Sequence, residues 1–148
     1  MKITYEDDYA LKTIFDLALH YGVNMHISDI ARRQDIPAKF LEQVLLKLKR
    51  SGFVVSKKGP NGGYRLVKEP KDISLKEVLE SISGPYAPIE CAWNPGYSEK
   101  CRYFHDCVFQ GIFSDIYRDV SKKLEDMDFQ KVIDIYKKKT KRKFQHEK

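Results

Sequence analysis

The segment KKGPNGGYRL, residues 57–66, is the most informative part of this 148-residue chain. It connects two short runs that we predict to be strands, at 53–55 and 64–67, through a turn rich in glycine and proline. A basic amphipathic helix, predicted over 37–52, comes directly before the first strand. A helix followed by a cationic hairpin with a glycine-rich tip is typical of a winged helix-turn-helix, so the sequence predicts that architecture.

Two more helices are predicted in front of this one. The first is capped by Asp7 or Asp8 and runs to about Tyr21, and the second is capped by Ser28 and covers residues 29–34. On the third helix, four aliphatic side chains share one face. The opposite face and its flanks carry polar and basic side chains, namely Lys39, Glu42, Gln43, Lys47 and Arg50. A short helix, a tight turn and a longer helix with a polar outer face are typical of a helix-turn-helix.

The C-terminal half is predicted to be helical around one irregular segment. Ser74 caps a fourth helix that ends at Gly84, and residues 85–100 have no periodicity. A long helix is predicted from near Tyr103 to about Leu124, and a short one over 129–136. Apolar residues recur along the long helix in a pattern close to a coiled-coil seam: Phe109, Phe113, Ile116, Val120, Leu124 and Met127. This pattern indicates either an ordinary core helix or a helix that also packs on a second subunit. DNA-binding modules of this size usually act as dimers on paired half-sites, which favours the second subunit.

The predicted fold class is therefore mainly α with a small β-hairpin wing. A winged helix-turn-helix DNA-binding domain is expected over residues 1–84, and a cysteine-bearing loop over 85–107. Dimerisation helices follow over 103–136, and a basic, disordered tail over 137–148.

The formal net charge of +6 is unevenly distributed. Residues 137–148 hold seven Lys or Arg against one Glu, so the tail accounts for the whole net charge. Within the neutral remainder, residues 32–68 hold ten Lys or Arg against two acidic residues. A neutral body with one strongly basic block indicates a surface for nucleic-acid phosphates.

Other function classes find less support in the chain. No apolar run approaches the roughly 20 residues that span a bilayer. The acidic N-terminus lacks the apolar core of a signal peptide, so we expect a cytoplasmic protein with reduced cysteines and no membrane partner. Residues 59–63 lack the Lys-Ser/Thr pair of a phosphate loop, and no recognisable nucleophilic arrangement is present, so we expect no enzyme. A hairpin that binds a protein partner is disfavoured by the density of positive charge.

The chain resembles the Rrf2 family of bacterial winged-helix regulators over residues 1 to about 135. The resemblance is carried by YAL at 9–11, IARRQ at 30–34, FLEQVL at 40–45 and LKRSGFV at 48–54. The hairpin KGPNGGYRL at 58–66 and ISLKEV at 73–78 complete it.

This resemblance implies a homodimeric repressor, crossed through the long helix, on a palindromic operator in double-stranded DNA. It implies that the third helix enters the major groove and the wing the minor groove. Glu42 matches a residue that contacts bases, and Lys58 replaces a minor-groove arginine while keeping its charge. The expected DNA contacts are Ser28, Arg32, Arg33, Lys39, Glu42, Gln43, Lys47, Lys57, Lys58, Pro60, Asn61, Gly62, Gly63 and Tyr64.

The chain has three cysteines, Cys91, Cys101 and Cys107, with the spacing C-x9-C-x5-C. Thiolates are preferred ligands of iron–sulfur clusters and soft metals, but three cysteines alone are also typical of buried structural thiols. Their position in a segment without apolar periodicity favours ligands. The cluster-binding branch of the family, which is IscR-, NsrR- and RirA-like, carries three cysteines in this segment. The resemblance therefore implies an iron–sulfur cluster, 2Fe-2S or 4Fe-4S.

Three cysteines leave a fourth ligand position open. The resemblance implies Asp8 of the partner subunit at that position, with His105 as the alternative, and Gln110 is a poor ligand. A non-cysteine ligand suits a cluster that senses nitric oxide, redox state or iron supply. Two alternatives remain: a zinc site formed by the three cysteines and His105, and a regulator without cofactor that responds to thiol oxidation or a partner protein.

Overall fold

The structure is a computed structural model that describes residues 1–146, with the side chains of 95, 98, 99, 104 and 142–146 left undescribed. Its helices are α1 (Tyr5–Leu19), α2 (Ile27–Gln34), α3 (Ala38–Arg50), α4 (Leu75–Ser83), α5 (Val108–Asp126) and α6 (Phe129–His146). The strands are β1 (Val54–Lys57) and β2 (Gly63–Leu66), and short 3-10 turns lie at Pro70–Asp72, Glu90–Ala92, Pro95–Lys100 and Phe104–Asp106. The predicted fold class, mainly α with a small β-hairpin, is confirmed.

One apolar core lies at the centre of the first four helices, the hairpin and the start of α6. α1 runs through its middle and packs against α2, α3, α4 and α6. The largest fully buried side chains are Ile14, Leu17, Ile30, Leu41, Leu45, Leu48, Leu66, Ile73, Leu79 and Phe129. Burial of these side chains fixes the angle between α2 and α3, which is the basis of the helix-turn-helix.

The helix starts follow capping chemistry, although not always at the predicted residue. Ser74 caps α4 as predicted, and Glu77 completes a reciprocal capping box. α1 begins earlier than expected, because Thr4 forms the same kind of box with Asp7, which is therefore inside the helix rather than its cap. Ser28 is likewise not a cap: α2 begins at Ile27 after His26, whose side chain makes no capping hydrogen bond.

The hairpin is antiparallel and pairs Val54 with Leu66 and Lys57 with Gly63. β1 runs two residues beyond the predicted end at Val55, and β2 starts and ends one residue earlier than predicted. Gly63 has φ 130°, and a Cβ there would lie 2.5 Å from the Met25 carbonyl oxygen. Glycine is needed at this position both for its backbone conformation and for the close approach of the Met25 backbone.

The C-terminal part differs from the prediction at two points. α5 begins at Val108 rather than near Tyr103, because the 3-10 turn at Phe104–Asp106 and the extended Cys107 precede it. α6 continues to His146 instead of ending at Tyr136, so residues 137–146 of the basic tail are helical in the structure. Lysine and arginine are good helix formers, and the Thr140 hydroxyl donates to the Tyr136 carbonyl at 2.9 Å. Glu147 and Lys148 lie outside the described residues. Within 1–146, none of the helices combines the length and apolar character needed to cross a membrane.

Candidate nucleic-acid interface and cysteine segment

The outer face of α3 is exposed and mainly polar, with Leu46 as an exposed aliphatic side chain among its polar residues. Lys39, Glu42 and Gln43 all point away from the core, while Leu41, Val44, Leu45 and Leu48 are buried beneath them. Because the buried side chains recur at helical spacing, they fix the rotation of α3 and so decide which side chains face outward. Lys47 lies at the edge of this face, and its Nζ forms a 2.6 Å ion pair with Glu6 Oε1 on α1.

The wing lies beside α3 and is attached at both ends. Lys49 Nζ donates to Ser56 Oγ at 2.6 Å, which connects α3 to β1. Tyr64 exchanges two backbone hydrogen bonds with Met25, of 2.8 and 2.9 Å, and Asn24 Nδ2 donates to the Asn61 carbonyl at 3.3 Å. The segment before α2 therefore pairs with the hairpin, a contact that no sequence pattern predicts.

The tip of the wing presents charge and a close-packed turn. Lys57, Lys58, Pro60 and Asn61 are exposed. Gly62 is buried in the turn, where its N–H donates to the Gly59 carbonyl at 2.9 Å and a Cβ would lie 2.1 Å from the Lys57 carbonyl oxygen. Of the predicted wing contacts, the two lysines are therefore free to reach a ligand, whereas Gly62 and Gly63 shape the turn.

The two neighbouring arginines of α2 have different surroundings. Arg32 has a side chain that is 77% exposed and pairs at 3.1 Å with Asp29 on the helix surface. Arg33 instead donates from Nε at 2.9 Å and from Nη2 at 2.7 Å to the two carboxylate oxygens of Asp16. This hydrogen bond to Asp16 is the main cause of a raised Arg33 pKa, against the opposing effect of burial. The Arg32 guanidinium is therefore accessible at the surface, while Arg33 is held by α1.

Asp16 was missed by the sequence reasoning. Its side chain is 1% exposed, and it also accepts a hydrogen bond from Gln34 Nε2 at 3.1 Å. The available signal was an acidic residue between Phe15 and Leu17 in the apolar stripe of α1, which is unusual unless a partner is present. Asp16 fastens the end of α2 to α1 and so helps to place the helix-turn-helix.

The cysteine segment, residues 85–107, follows α4 and packs its first turn, Glu90–Ala92, against α5. Cys91, Cys101 and Cys107 are all free thiols of intermediate exposure. Among the described residues, no group of three or more His, Cys, Asp or Glu side chains is close enough to hold a metal ion. The donor set fits a cluster in its chemistry, since the three thiols are accessible and not cross-linked.

The two candidates for the fourth ligand lie on different elements. Asp8 is on α1, where it forms a 2.7 Å ion pair with Lys12 and keeps a partly exposed side chain. His105 is exposed in the 3-10 turn before Cys107. Gln110 Nε2 donates to Ser114 Oγ at 3.0 Å on the same helix.

A buried polar cluster connects the start of α1 to the start of the cysteine segment. Asp7 is fully buried; it accepts hydrogen bonds from Thr4 and, at 2.7 Å, from Ser83 Oγ at the end of α4. Burial would raise the pKa of Asp7, but the polar groups of Tyr86, Ser83 and Thr4 outweigh it and lower the pKa. Burial and the Asp7 carboxylate together raise the pKa of Tyr86. In the described part of the chain, the Tyr86 hydroxyl is nevertheless buried without a hydrogen bond of good geometry.

α5 carries an apolar face that the described part of the chain leaves exposed. Val108, Phe109, Ile112 and Ile116 are exposed, Val108 at 73%, and the rings of Phe109 and Phe113 stack with centroids 6.5 Å apart. α5 has no fully buried residue, although it packs against α4 and the turn that contains Cys91. Exposure of several large apolar side chains on one helix indicates an interaction surface.

Comparison with known proteins gives consistent matches. The Rrf2 family profile, described as an iron-dependent transcriptional regulator, matches residues 3–135. An rrf2-like HTH-type transcriptional regulator from Rhodobacter capsulatus is 36% identical over 122 residues, which cover 78% of this chain and 81% of that protein.

Two solved structures share the fold. IscR of T. potens has a TM-score of 0.73 at 23% identity, covering 92% of this chain and 88% of the other. CymR, the global cysteine regulator of B. subtilis, has a TM-score of 0.69 at 23% identity, covering 89% and 95% respectively.

Proposed function

The chain belongs to the Rrf2 family of DNA-binding transcriptional regulators, and from this premise we propose that an iron–sulfur cluster controls its affinity for DNA. Members of this family are regulators and not enzymes. The proposed activity is repression from a palindromic operator by a homodimer in the cytoplasm. The observation that carries the DNA-binding role is the exposed polar face of α3 beside a wing that presents Lys57 and Lys58.

The proposed DNA contacts fall into two groups. Lys39, Glu42, Gln43 and Lys47 on α3, with Ser28 and Arg32 on α2, face the major groove and the phosphates beside it. Lys57, Lys58, Pro60, Asn61 and Tyr64 belong to the wing, which reaches the adjacent minor groove while Gly62 and Gly63 hold its turn. Arg33 is not among the proposed DNA contacts, because its guanidinium donates to Asp16. It instead positions α2 against α1. This division assigns phosphate contacts to exposed cations and base contacts to α3.

The proposed homodimer uses the apolar face of α5. The exposed side chains of Val108, Phe109, Ile112 and Ile116 form a stripe that a second copy of α5 can cover. Pairing through one long helix brings the two α3 helices into a symmetric arrangement, as paired half-sites require.

The proposed cluster ligands are Cys91, Cys101 and Cys107, with Asp8 of the partner subunit as the fourth and His105 as the alternative. When bound, such a cluster supplies reversible chemistry toward oxidants, nitric oxide or iron supply. The family description as iron-dependent supports iron over zinc. The chain's own part is to hold three accessible thiols on a segment that follows α4 and packs on α5, so that ligation restrains this segment.

A regulator without a cofactor is the second candidate. It is supported by the absence of a converged ligand group among the described residues and by the fold shared with CymR. In that case, oxidation of the three partly exposed thiols or a partner protein would be the signal.

Purification without oxygen separates these candidates. The cluster proposal expects brown protein that contains iron and acid-labile sulfide, with visible absorbance that nitric oxide or air removes. Colourless protein with stoichiometric zinc or no metal would refute it.

The fourth ligand is tested by Asp8→Asn, which should shorten the lifetime of the cluster in air while the apoprotein keeps its stability. The matched control is Asp134→Asn, because Asp134 is also an exposed helical acid held by a neighbour on its own helix, Gln130. Equal lifetimes in both variants would exclude Asp8 and favour His105.

A further inference from the structure

The first turn of α1 contacts α3 and the end of α4, and it also carries a candidate cluster ligand. Glu6 pairs with Lys47 on α3, Asp7 accepts from Ser83 at the end of α4, and Asp8 is a candidate cluster ligand. Successive residues of a helix point about 100° apart, so three acids in a row face three different neighbours. No other role proposed above uses the fully buried Asp7.

Asp7 accepts short hydrogen bonds from Thr4 and Ser83, but its contact with Tyr86 of the cysteine segment lacks a well-formed hydrogen bond. Asp7 Oδ2 accepts from the Thr4 N–H at 2.8 Å and from Thr4 Oγ1 at 2.7 Å, while Oδ1 accepts from Ser83 Oγ at 2.7 Å. Tyr86, which follows Gly84 and Pro85 into the cysteine segment, is 6% exposed and lies beside this carboxylate. Its hydroxyl makes no well-formed hydrogen bond within the described residues. A buried hydroxyl without a hydrogen-bond partner destabilises the conformation in which it is buried. A small movement of the cysteine segment can give the Tyr86 hydroxyl a partner.

We propose that Asp7, Ser83 and Tyr86 are positioning residues that connect the cysteine segment to the reading helix α3 through the first turn of α1. A rearrangement of residues 85–107 moves Tyr86 toward or away from Asp7. The resulting shift of the first turn is transmitted to α3 by the ion pair between Glu6 and Lys47. This inference rests on the proposed DNA-binding function, but it does not require that the signal be a cluster.

Linkage between the two sites gives a direct test. If the cysteine segment and α3 are coupled, DNA bound at α3 must change the environment of the cysteines, just as a change at the cysteines alters DNA binding. The probe is the full-length apoprotein with a 30-base-pair duplex selected by the wild-type protein from a random library. The measurement is the rate of alkylation of each cysteine by N-ethylmaleimide, followed by mass spectrometry with and without the duplex.

The expected result is a change of at least about fivefold in the alkylation rate of Cys91 when the wild-type protein binds the duplex. In Ser83→Ala and Tyr86→Phe, the ratio of the Cys91 alkylation rates with and without the duplex should lie within about twofold of one. Both variants remove a hydroxyl and keep the rest of the side chain. Glu6→Gln should have the same effect from the other end of the connection.

Ser81→Ala is the matched control. Ser81 lies on α4 and donates to the Val78 carbonyl of its own helix at 2.7 Å, without reaching α1. It should keep the wild-type ratio. The inference is overturned, and the DNA-binding function is not, if the two variants show the same ratio of Cys91 alkylation rates as the wild type. The same conclusion follows if the duplex leaves the wild-type rate unchanged. Failure to select any duplex would overturn the DNA-binding function and the inference with it.

Discussion

Replacing Arg33 and Arg32 one at a time should separate a positioning residue from a DNA contact. The two arginines are adjacent on α2, but the Arg33 side chain is 31% exposed and bonded to a buried carboxylate, whereas Arg32 is 77% exposed. Arg33→Ala leaves Asp16, 1% exposed, with the 3.1 Å hydrogen bond from Gln34 and with His20 Nδ1 at 3.9 Å from its Oδ2. Removing one partner of a buried ion pair costs about 3–5 kcal/mol, because the remaining charge stays desolvated.

The expected loss lies at the lower end of that range. The partial exposure of Arg33 means that water already weakens the pair, so we expect about 3 kcal/mol in the free energy of unfolding. For a chain of this length, this corresponds to a fall in Tm of roughly 6–12 °C. Arg32→Ala removes a surface pair only, and we expect a loss of about 0.5 kcal/mol or less.

Urea unfolding followed by circular dichroism, at one fixed protein concentration, measures the stability difference. Salt titration of DNA affinity gives the second reading: Arg32→Ala should lower the slope of log K against log salt by about 0.9, the value for one phosphate. Arg33→Ala should keep the wild-type slope at a temperature where it is folded. If the two variants lose the same stability, or if Arg33→Ala alone lowers the slope, the assignment of Arg33 to Asp16 is refuted.

Three further substitutions test the wing and the dimer. In fluorescence anisotropy titrations, Lys58→Ala should weaken DNA binding and lower the slope of log K against log salt by about 0.9. Lys122→Ala on α5 should leave both unchanged. Equal slopes for Lys58→Ala and the wild type would exclude a contact of Lys58 with the DNA backbone. Gly63→Ala should lower the free energy of unfolding in urea by about 1–3 kcal/mol, because its Cβ would meet the Met25 carbonyl. The loss should exceed that of Gly59→Ala, a position with positive φ but open space around it. The reverse order would contradict the role of Met25. Ile112→Glu should convert a dimer to a monomer in sedimentation equilibrium, with Lys122→Glu as the control, and an unchanged mass would exclude the α5 face.

Features set by local chemistry could be predicted from the sequence. The wing was identified because glycine and proline restrict the backbone over a few residues, and the core of α3 because its aliphatic side chains recur at helical spacing. Ser74 and Glu77 form a cap within one turn. The cysteines were singled out by residue type, but spacing along a chain says nothing about convergence in space, so their role as ligands stays a prediction.

Features set by distant partners could not be predicted. Arg32 and Arg33 have the same charge and neighbouring positions, and the residue that distinguishes them, Asp16, is on another helix. The pairing of Met25 with Tyr64 joins two segments far apart in sequence, and nothing in the residues around Met25 indicates it. In the tail, charge density indicated disorder, whereas the high helix propensity of lysine and arginine gives a continuous α6 through His146.

The acidic start of α1 combines both cases, and it shows why charge alone is a weak guide to role. Composition marks Glu6, Asp7 and Asp8 as one acidic patch that would cap a helix. Helical rotation sends each to a different neighbour, and the neighbours give them different chemistry: an ion pair to α3, a buried hydrogen-bonded carboxylate, and an exposed ligand candidate. Because the three share one helical turn, none can move without displacing the others. If DNA affinity responds to the state of the cysteines, this turn offers a short path for that response, since Asp7 contacts Ser83 and Tyr86 on one side and Glu6 pairs with Lys47 of α3 on the other.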